Sequence, residues 1–288
     1  MPAPDSGGAP FARVGIAGLG LIGGSIALAL RRRSPSTRIV ALDRPDVIDA
    51  ARSAGVIDAG AAAVGDLGGA DVIVLATPIP AILESIAALG RVAPDAVVTD
   101  VGSTKRRIVA AAAGAGLREF VGGHPMAGRE RGGLAAADHA LFEGRTWFLA
   151  RGTASDDALL RIKAFVRGLG ATPADIDPER HDRTMAYVSH LPQIASTTLM
   201  AEVGAAVGPH GVACAGQGLD DMTRLAASPA DVWSGILETN ADFIAEAGTR
   251  LAESLARFAR ELQDEGAVEA RFETANRLRE ILRASRTP

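Results

Sequence analysis

The sequence predicts an α/β protein in two parts: a doubly wound parallel sheet over residues 11–176 and an all-helical domain over 177–288. Three observations carry this. Short apolar runs alternate with helical patterns as far as about residue 168, the sequence form of repeated βαβ units. A glycine fingerprint, Gly18-Leu19-Gly20-Leu21-Ile22-Gly23, separates the first run from the first helix. From about Pro178 strand-like runs nearly cease and long helical periodicity takes over. A length of 288 residues also suits two domains.

Taken in order, residues 1–10 form a Pro, Gly, Ala and Ser tail expected to be disordered. The pairs that follow are RVGIAG with LIGGSIALALRRR, RIVALD with DVIDAARSAG, DVIVLAT with IPAILESIAALG, and AVVTD with STKRRIVAAAAG. The strands are apolar throughout, as expected when helices cover both faces. Val14 to Leu30 is a run of 17 uncharged residues. Five glycines within it and RRRSPSTR directly after argue for strand, turn and buried helix rather than a membrane span. REFVGG and TWFLA extend the sheet before a helix around Asp156 to Gly168. The last part places Ile194, Leu199, Val203, Ile236, Phe243, Ile244, Leu251, Leu255, Phe258 and Leu262 at helical spacing. That is more apolar face than one bundle needs, which points to a homodimer.

Composition narrows the class. Thirty Lys and Arg against 34 Asp and Glu leave a net charge of -4, so there is no basic field for nucleic acid or acidic lipid. A single cysteine, Cys214, excludes an internal disulfide, and the start MPAPDSGGAP lacks a basic and apolar leader. Both fit a cytoplasmic protein. Glycine is abundant, 33 residues, so the backbone must often pass close to something.

The fingerprint has a mechanism. Its first glycine permits a tight turn, its second lets a pyrophosphate approach, and its third lets helix pack on strand, in the manner of Rossmann-like folds. Asp43 ends the next strand at the spacing of a carboxylate on the adenosine ribose. Asp43 favours NAD over NADP, although Arg44 beside it could stack on adenine or accommodate a phosphate. Thr77, Pro78 and Ser103 end later strands and should border the nicotinamide. Ser103 can also be read as the N-cap of the helix that follows. No metal site is expected.

A carbinol that gives up hydride also needs a group to take its proton, and histidine suits that role near neutrality. Of His124, His139, His181, His190 and His210, the glycine-rich loop GGHPMAG singles out His124. His139, in a small-residue helix, and His210, beside a helix break, read as structural or surface residues.

At these motifs the chain resembles the prephenate and arogenate dehydrogenases of tyrosine biosynthesis. The matching pieces are GLGLIGGSIALAL, the Asp43 strand end, DVIVLATPI, TDVGSTK, FVGGHPMAGRE, LFEGRTWFL, ERHDRTMAYVSHLPQ and DDMTRLAASPADVW. The resemblance implies an NAD(P) oxidoreductase with a helical dimerisation domain that oxidatively decarboxylates prephenate to 4-hydroxyphenylpyruvate. It makes His124 the proton acceptor, Ser103 the residue that orients it, His190 a substrate-pocket residue and Arg224 the grip on a substrate carboxylate. Spacing alone would instead pair Arg224 with Asp220 or Asp221. Glu130 matches an acidic residue at the pocket mouth that could gate with Arg224. Arg129 departs from the family's small hydroxyl residue. Pointing inward, it would disfavour the ammonium of arogenate. His181 and Asp182 also match, but read as a helix-start element packing the domain junction, outside the catalytic set.

Three alternatives stay open: an arogenate, broad-specificity or aminoprephenate-type dehydrogenase, a β-hydroxyacid dehydrogenase, and an NAD-binding regulator without turnover. The second would need a lysine base at the helical junction, where this chain has histidines. No separate regulatory or mutase domain is expected beyond the helical part.

Overall fold

The structure is a computed structural model that describes residues 11–129 and 131–284. Its centre is an eight-stranded sheet in the order β3-β2-β1-β4-β5-β6-β7-β8. The strands are β1 (Arg13–Ala17), β2 (Arg38–Leu42), β3 (Ala59–Gly60), β4 (Val72–Leu75), β5 (Val97–Asp100), β6 (Glu119–Pro125), β7 (Thr146–Arg151) and β8 (Thr172–Asp175). All neighbours pair in parallel except β6 with β7. The sheet is thus mostly parallel, as expected, and the direction changes at β6–β7 because a loop and one short 3-10 turn, rather than a crossover helix, join those strands. The sequence patterns also passed over the two-residue β3 and the polar β8.

Alternate residues of each strand enter different cores. Val14, Ile16, Ile39, Val72, Val74, Val121 and Trp147 pack with helices α1 (Leu21–Arg33), α2 (Pro45–Ser53) and α5 (Asp156–Gly168). Val40, Ile73, Leu75, Val98 and Phe120 pack with α3 (Ile79–Val92) and α4 (Arg106–Gly114). With both faces covered, only apolar residues suit the central strands. Ile82, Ile86 and Leu89 on α3 are fully buried, and truncating any one to Ala would cost about 2–5 kcal/mol. Val14–Leu30 divides into β1, the glycine turn and α1, and among the described residues no helix is long and apolar enough to cross a membrane.

From Pro178 onward all regular elements among the described residues are helical. They are α6 (Pro178–Met185), α7 (Leu191–Ala213, broken at Gly208), α8 (Gln217–Thr223), α9 (Ala230–Thr239), α10 (Ala241–Arg260) and α11 (Glu265–Ala284). A π turn, Ala186–His190, joins α6 to α7. Pro192 has no N–H for the carbonyl one turn back, and the widened turn accommodates it. Ile236, Phe243 and Ile244 from α9 and α10 complete the core on the α3–α4 side, which fixes the helical part over the carboxyl ends of the strands.

Candidate active site

The order 3-2-1-4-5-6 reverses between β1 and β4, and a crevice opens there at the strand ends. Gly18 has φ +96°, and a Cβ on it would lie 2.7 Å from the Ala76 carbonyl. A Cβ on Gly23 would meet Gly18 O at 1.8 Å, whereas nothing lies within 4 Å of the same position at Gly20. The first and third glycines therefore serve packing, and the second faces open space that a phosphate can enter. Leu19 is buried, and its N–H donates to Asp43 Oδ2 at 2.6 Å. Asp43 Oδ1 accepts the Arg44 N–H at 2.7 Å, while the Arg44 guanidinium turns outward to Asp46.

A cleft of about 450 Å³ is lined by Leu21, Ile22, Thr77, Pro78 and Ser103 on one side and by Val232 and Gly235 of α9 on the other. Thr77 Oγ1 is buried without a partner. These residues fit a dinucleotide: an open helix N-terminus, an unpaired hydroxyl and a carboxylate at the next strand end. Ser103 is not the cap of α4. The helix begins at Arg106, and its first N–H groups go to Asp182 from the helical part, Lys105 N at 2.6 Å and Arg106 N at 2.9 Å.

His124 sits near the end of β6 and is partly buried. Its Nδ1 lies 2.9 Å from His181 Nε2, and His181 Nδ1 lies 2.8 Å from Asp182 Oδ1. His181 and Asp182 are fully buried. The expected packing at the domain junction is met by Asp182, which takes the first N–H groups of α4 rather than those of its own helix. Asp177 caps α6, accepting from Glu179 and Arg180 N–H, and His181 stands directly behind His124. The bond found at His124 Nδ1 is to His181, a partner not expected from the sequence, while Ser103 lines the cleft. The HD-x-x-MA motif carried the signal, but pairing across 57 residues of chain has no mark in local spacing.

The polar chain fixes tautomers. An ionised Asp182 only accepts, so His181 Nδ1 carries the proton and its Nε2 accepts. His124 must then donate from Nδ1, which leaves Nε2 as a free base. Burial, reinforced by His181, Lys105 and His190, holds the His124 pKa well below 6.5.

His190 ends the π turn, 1% exposed, with its ring edge-on to Trp233. Asn240 Oδ1 accepts from Arg106, so Nδ2 faces His190 Nδ1 at 3.2 Å. The His190 proton therefore sits on Nε2, and burial lowers its pKa to about 4. Arg224 opens an exposed turn held to α7 by the Gln193 amide donating to Leu225 O at 2.8 Å. Arg129 pairs with Asp138, half-exposed. Its charge is engaged on the loop, against the inward orientation expected for it. His139 lies in a turn rather than a helix. Glu130, with the tail 1–10, lies outside the described residues.

Sheet order, glycine turn and a helical part closing over the strand ends define a two-domain dinucleotide-binding protein of the dehydrogenase type. The chain belongs to the prephenate dehydrogenase family. Residues 26–173 match its nucleotide-binding domain and 177–283 its dimerization domain. Prephenate dehydrogenase of Bacillus subtilis is 36% identical over 80% of this chain, which spans 64% of that protein's length. Prephenate dehydrogenase of A. aeolicus, solved with hydroxyphenyl propionate and NAD+, superposes with a TM-score of 0.86 at 30% identity, covering 93% of this chain and 98% of that one. Synechocystis arogenate dehydrogenase has a TM-score of 0.83 at 25% identity, covering 94% and 99%.

Proposed function

We propose that this chain catalyses the NAD-dependent oxidative decarboxylation of prephenate to 4-hydroxyphenylpyruvate and CO2. The observation that carries the proposal is His124, near the carboxyl end of β6 and held by its Nδ1 to the buried His181 and Asp182, which leaves Nε2 as the basic nitrogen. NAD, when bound along the glycine turn and the Ser103 cleft, supplies the acceptor for the hydride of C4. His124 Nε2 takes the proton of the C4 hydroxyl, and His181 accepts the hydrogen bond from the opposite nitrogen. As the C1 carboxylate leaves as CO2, its bonding pair completes the aromatic ring. Ser103 borders the cleft where hydroxyl and nicotinamide meet. His190 offers its Nε2–H to the substrate, and Arg224 takes a substrate carboxylate through its planar fork. Asp43 receives the ribose hydroxyls and repels a 2′-phosphate, which favours NAD over NADP.

The division at residue 177 and a homodimer belong to the same proposal. The α10 and α11 helices expose Leu255, Phe272, Leu278 and Ile281, an apolar face that suits a second copy. The lone cysteine, exposed Cys214, fits a reducing, cytoplasmic setting. The test is NADH formation with prephenate and with arogenate, each with NAD and with NADP. Turnover of prephenate with NAD supports the proposal. Turnover of arogenate alone would reassign the substrate, and no turnover with either would refute an enzymatic role.

A further inference from the structure

Beneath the site lies a charged pair that the mechanism above does not use. Asp100 ends β5 and Lys105 precedes α4, both side chains are fully buried, and Lys105 Nζ donates to Asp100 Oδ2. The remaining bonds of the pair all go to backbone. Asp100 Oδ2 accepts the N–H of Gly102 at 2.8 Å, and Oδ1 accepts that of Gly123 at 3.0 Å. Lys105 Nζ donates to Gly123 O at 2.7 Å. Gly102 immediately precedes Ser103 and Gly123 immediately precedes His124. One carboxylate thus holds the N–H groups of the residues directly before Ser103 and His124, one beyond the end of β5 and the other in β6. Close approach is built in, for a Cβ at Gly123 would lie 2.4 Å from Asp100 O.

Stability alone gives little reason to keep such a pair, because apolar residues of similar volume often replace buried ions without loss. A geometric role does. Displacing a reacting group by about 1 Å can cost about 100-fold in rate. We propose that the buried Asp100–Lys105 pair is the positioning element that holds Ser103 and His124 in register across β5 and β6. Lys105 is a positioning residue and not a base, since its ammonium is enclosed by Asp100 and the Gly123 carbonyl.

The inference rests on the prephenate dehydrogenase reading, so wild type is assayed beside every variant. No prephenate turnover by wild type would defeat that reading and, with it, this inference. With wild type active, the test is Asp100→Asn combined with Lys105→Met, with Lys105→Met alone as second variant. Expected are a fall in kcat of about 10- to 100-fold and KM for prephenate and NAD within about threefold of wild type, with a thermal midpoint close to wild type for the double variant and lower for Lys105→Met, which leaves Asp100 buried without its partner. His124 is also faced by His181 of α6 and by His190 of the π turn, which the variants leave in place. In the cofactor-free protein, NMR titration of the imidazole should therefore show the His124 midpoint moving upward in Lys105→Met, where only the cation is removed, and less so in the double variant, where the Asp100 charge goes with it. Folded variants with kcat within twofold of wild type and an unmoved titration would overturn the proposal. So would loss of the fold in both variants, which would make the pair a purely structural support.

Discussion

Replacing His181 by phenylalanine keeps a ring against Phe148, 5.8 Å away between centroids, and removes both ring nitrogens. Asp182 then loses one of three donors, and His124 Nδ1 loses its acceptor at 2.9 Å. Two buried polar groups left short of a partner should cost on the order of 3 kcal/mol of stability. The rate effect follows from the tautomer. Without His181 nothing confines the His124 proton to Nδ1, so Nε2 is protonated part of the time and the ring is free to turn. General base catalysis contributes about 10²- to 10⁴-fold. A partial loss of about 10²-fold in kcat, near 2.7 kcal/mol, is therefore expected. KM should stay within about threefold, because His181 lies behind the base. Steady-state NADH formation with prephenate measures this, and nitrogen NMR of the histidines reports the tautomer. His181→Gln, whose amide can accept from one side and donate to the other, should recover part of the rate. Wild-type kcat in His181→Phe, with His124 Nε2 still unprotonated, would refute the relay.

The acid limb of kcat/KM should lie well below pH 6.5, because burial lowers the His124 pKa to that extent, and His124→Asn should abolish the limb along with most of kcat. His190 binds its proton near pH 4 when folded and near 6.5 when unfolded. Between those values the unfolded chain holds more protons, so stability should rise with pH across this window by about 3 kcal/mol in total, read as a thermal midpoint that flattens in His190→Asn. Arg224→Ala should raise the KM for prephenate about tenfold or more with NAD affinity nearly intact; equal loss of both would assign Arg224 to structure. In Arg129→Ser the ratio of kcat/KM for prephenate and arogenate should stay within about twofold, because Asp138 already engages the guanidinium. A large shift in that ratio would return Arg129 to the pocket.

Much of the fold is legible because it depends on local periodicity and steric punctuation. The runs around Val14, Ile39, Val72 and Val98 can only be strands covered on both faces, and Gly18 and Gly23 can only serve a turn that brings two backbones into contact. The short β3, the polar β8 and the antiparallel β7 escape that logic. The first two are edge elements held by hydrogen bonds to neighbours rather than by apolar pattern of their own, whereas β7 is legible as a strand in TWFLA and only its direction is set by the connection from β6. The π turn at Ala186–His190 is likewise a response of the backbone to Pro192 and the packing around it.

Of the proposed site, His124, its glycine loop and the carboxylate of Asp43 are legible in the sequence, since each lies in a motif whose spacing has a physical meaning. Only the tertiary structure decided what stands behind them. His181 reaches His124 across 57 residues, Asp182 caps a helix of the other part of the chain, and Asp100 grips the peptides before Ser103 and His124. Those bonds join strand ends and helix starts that are distant in the chain. Their partners are chosen by the packing of α6 onto β6 and α4, so no local pattern records them.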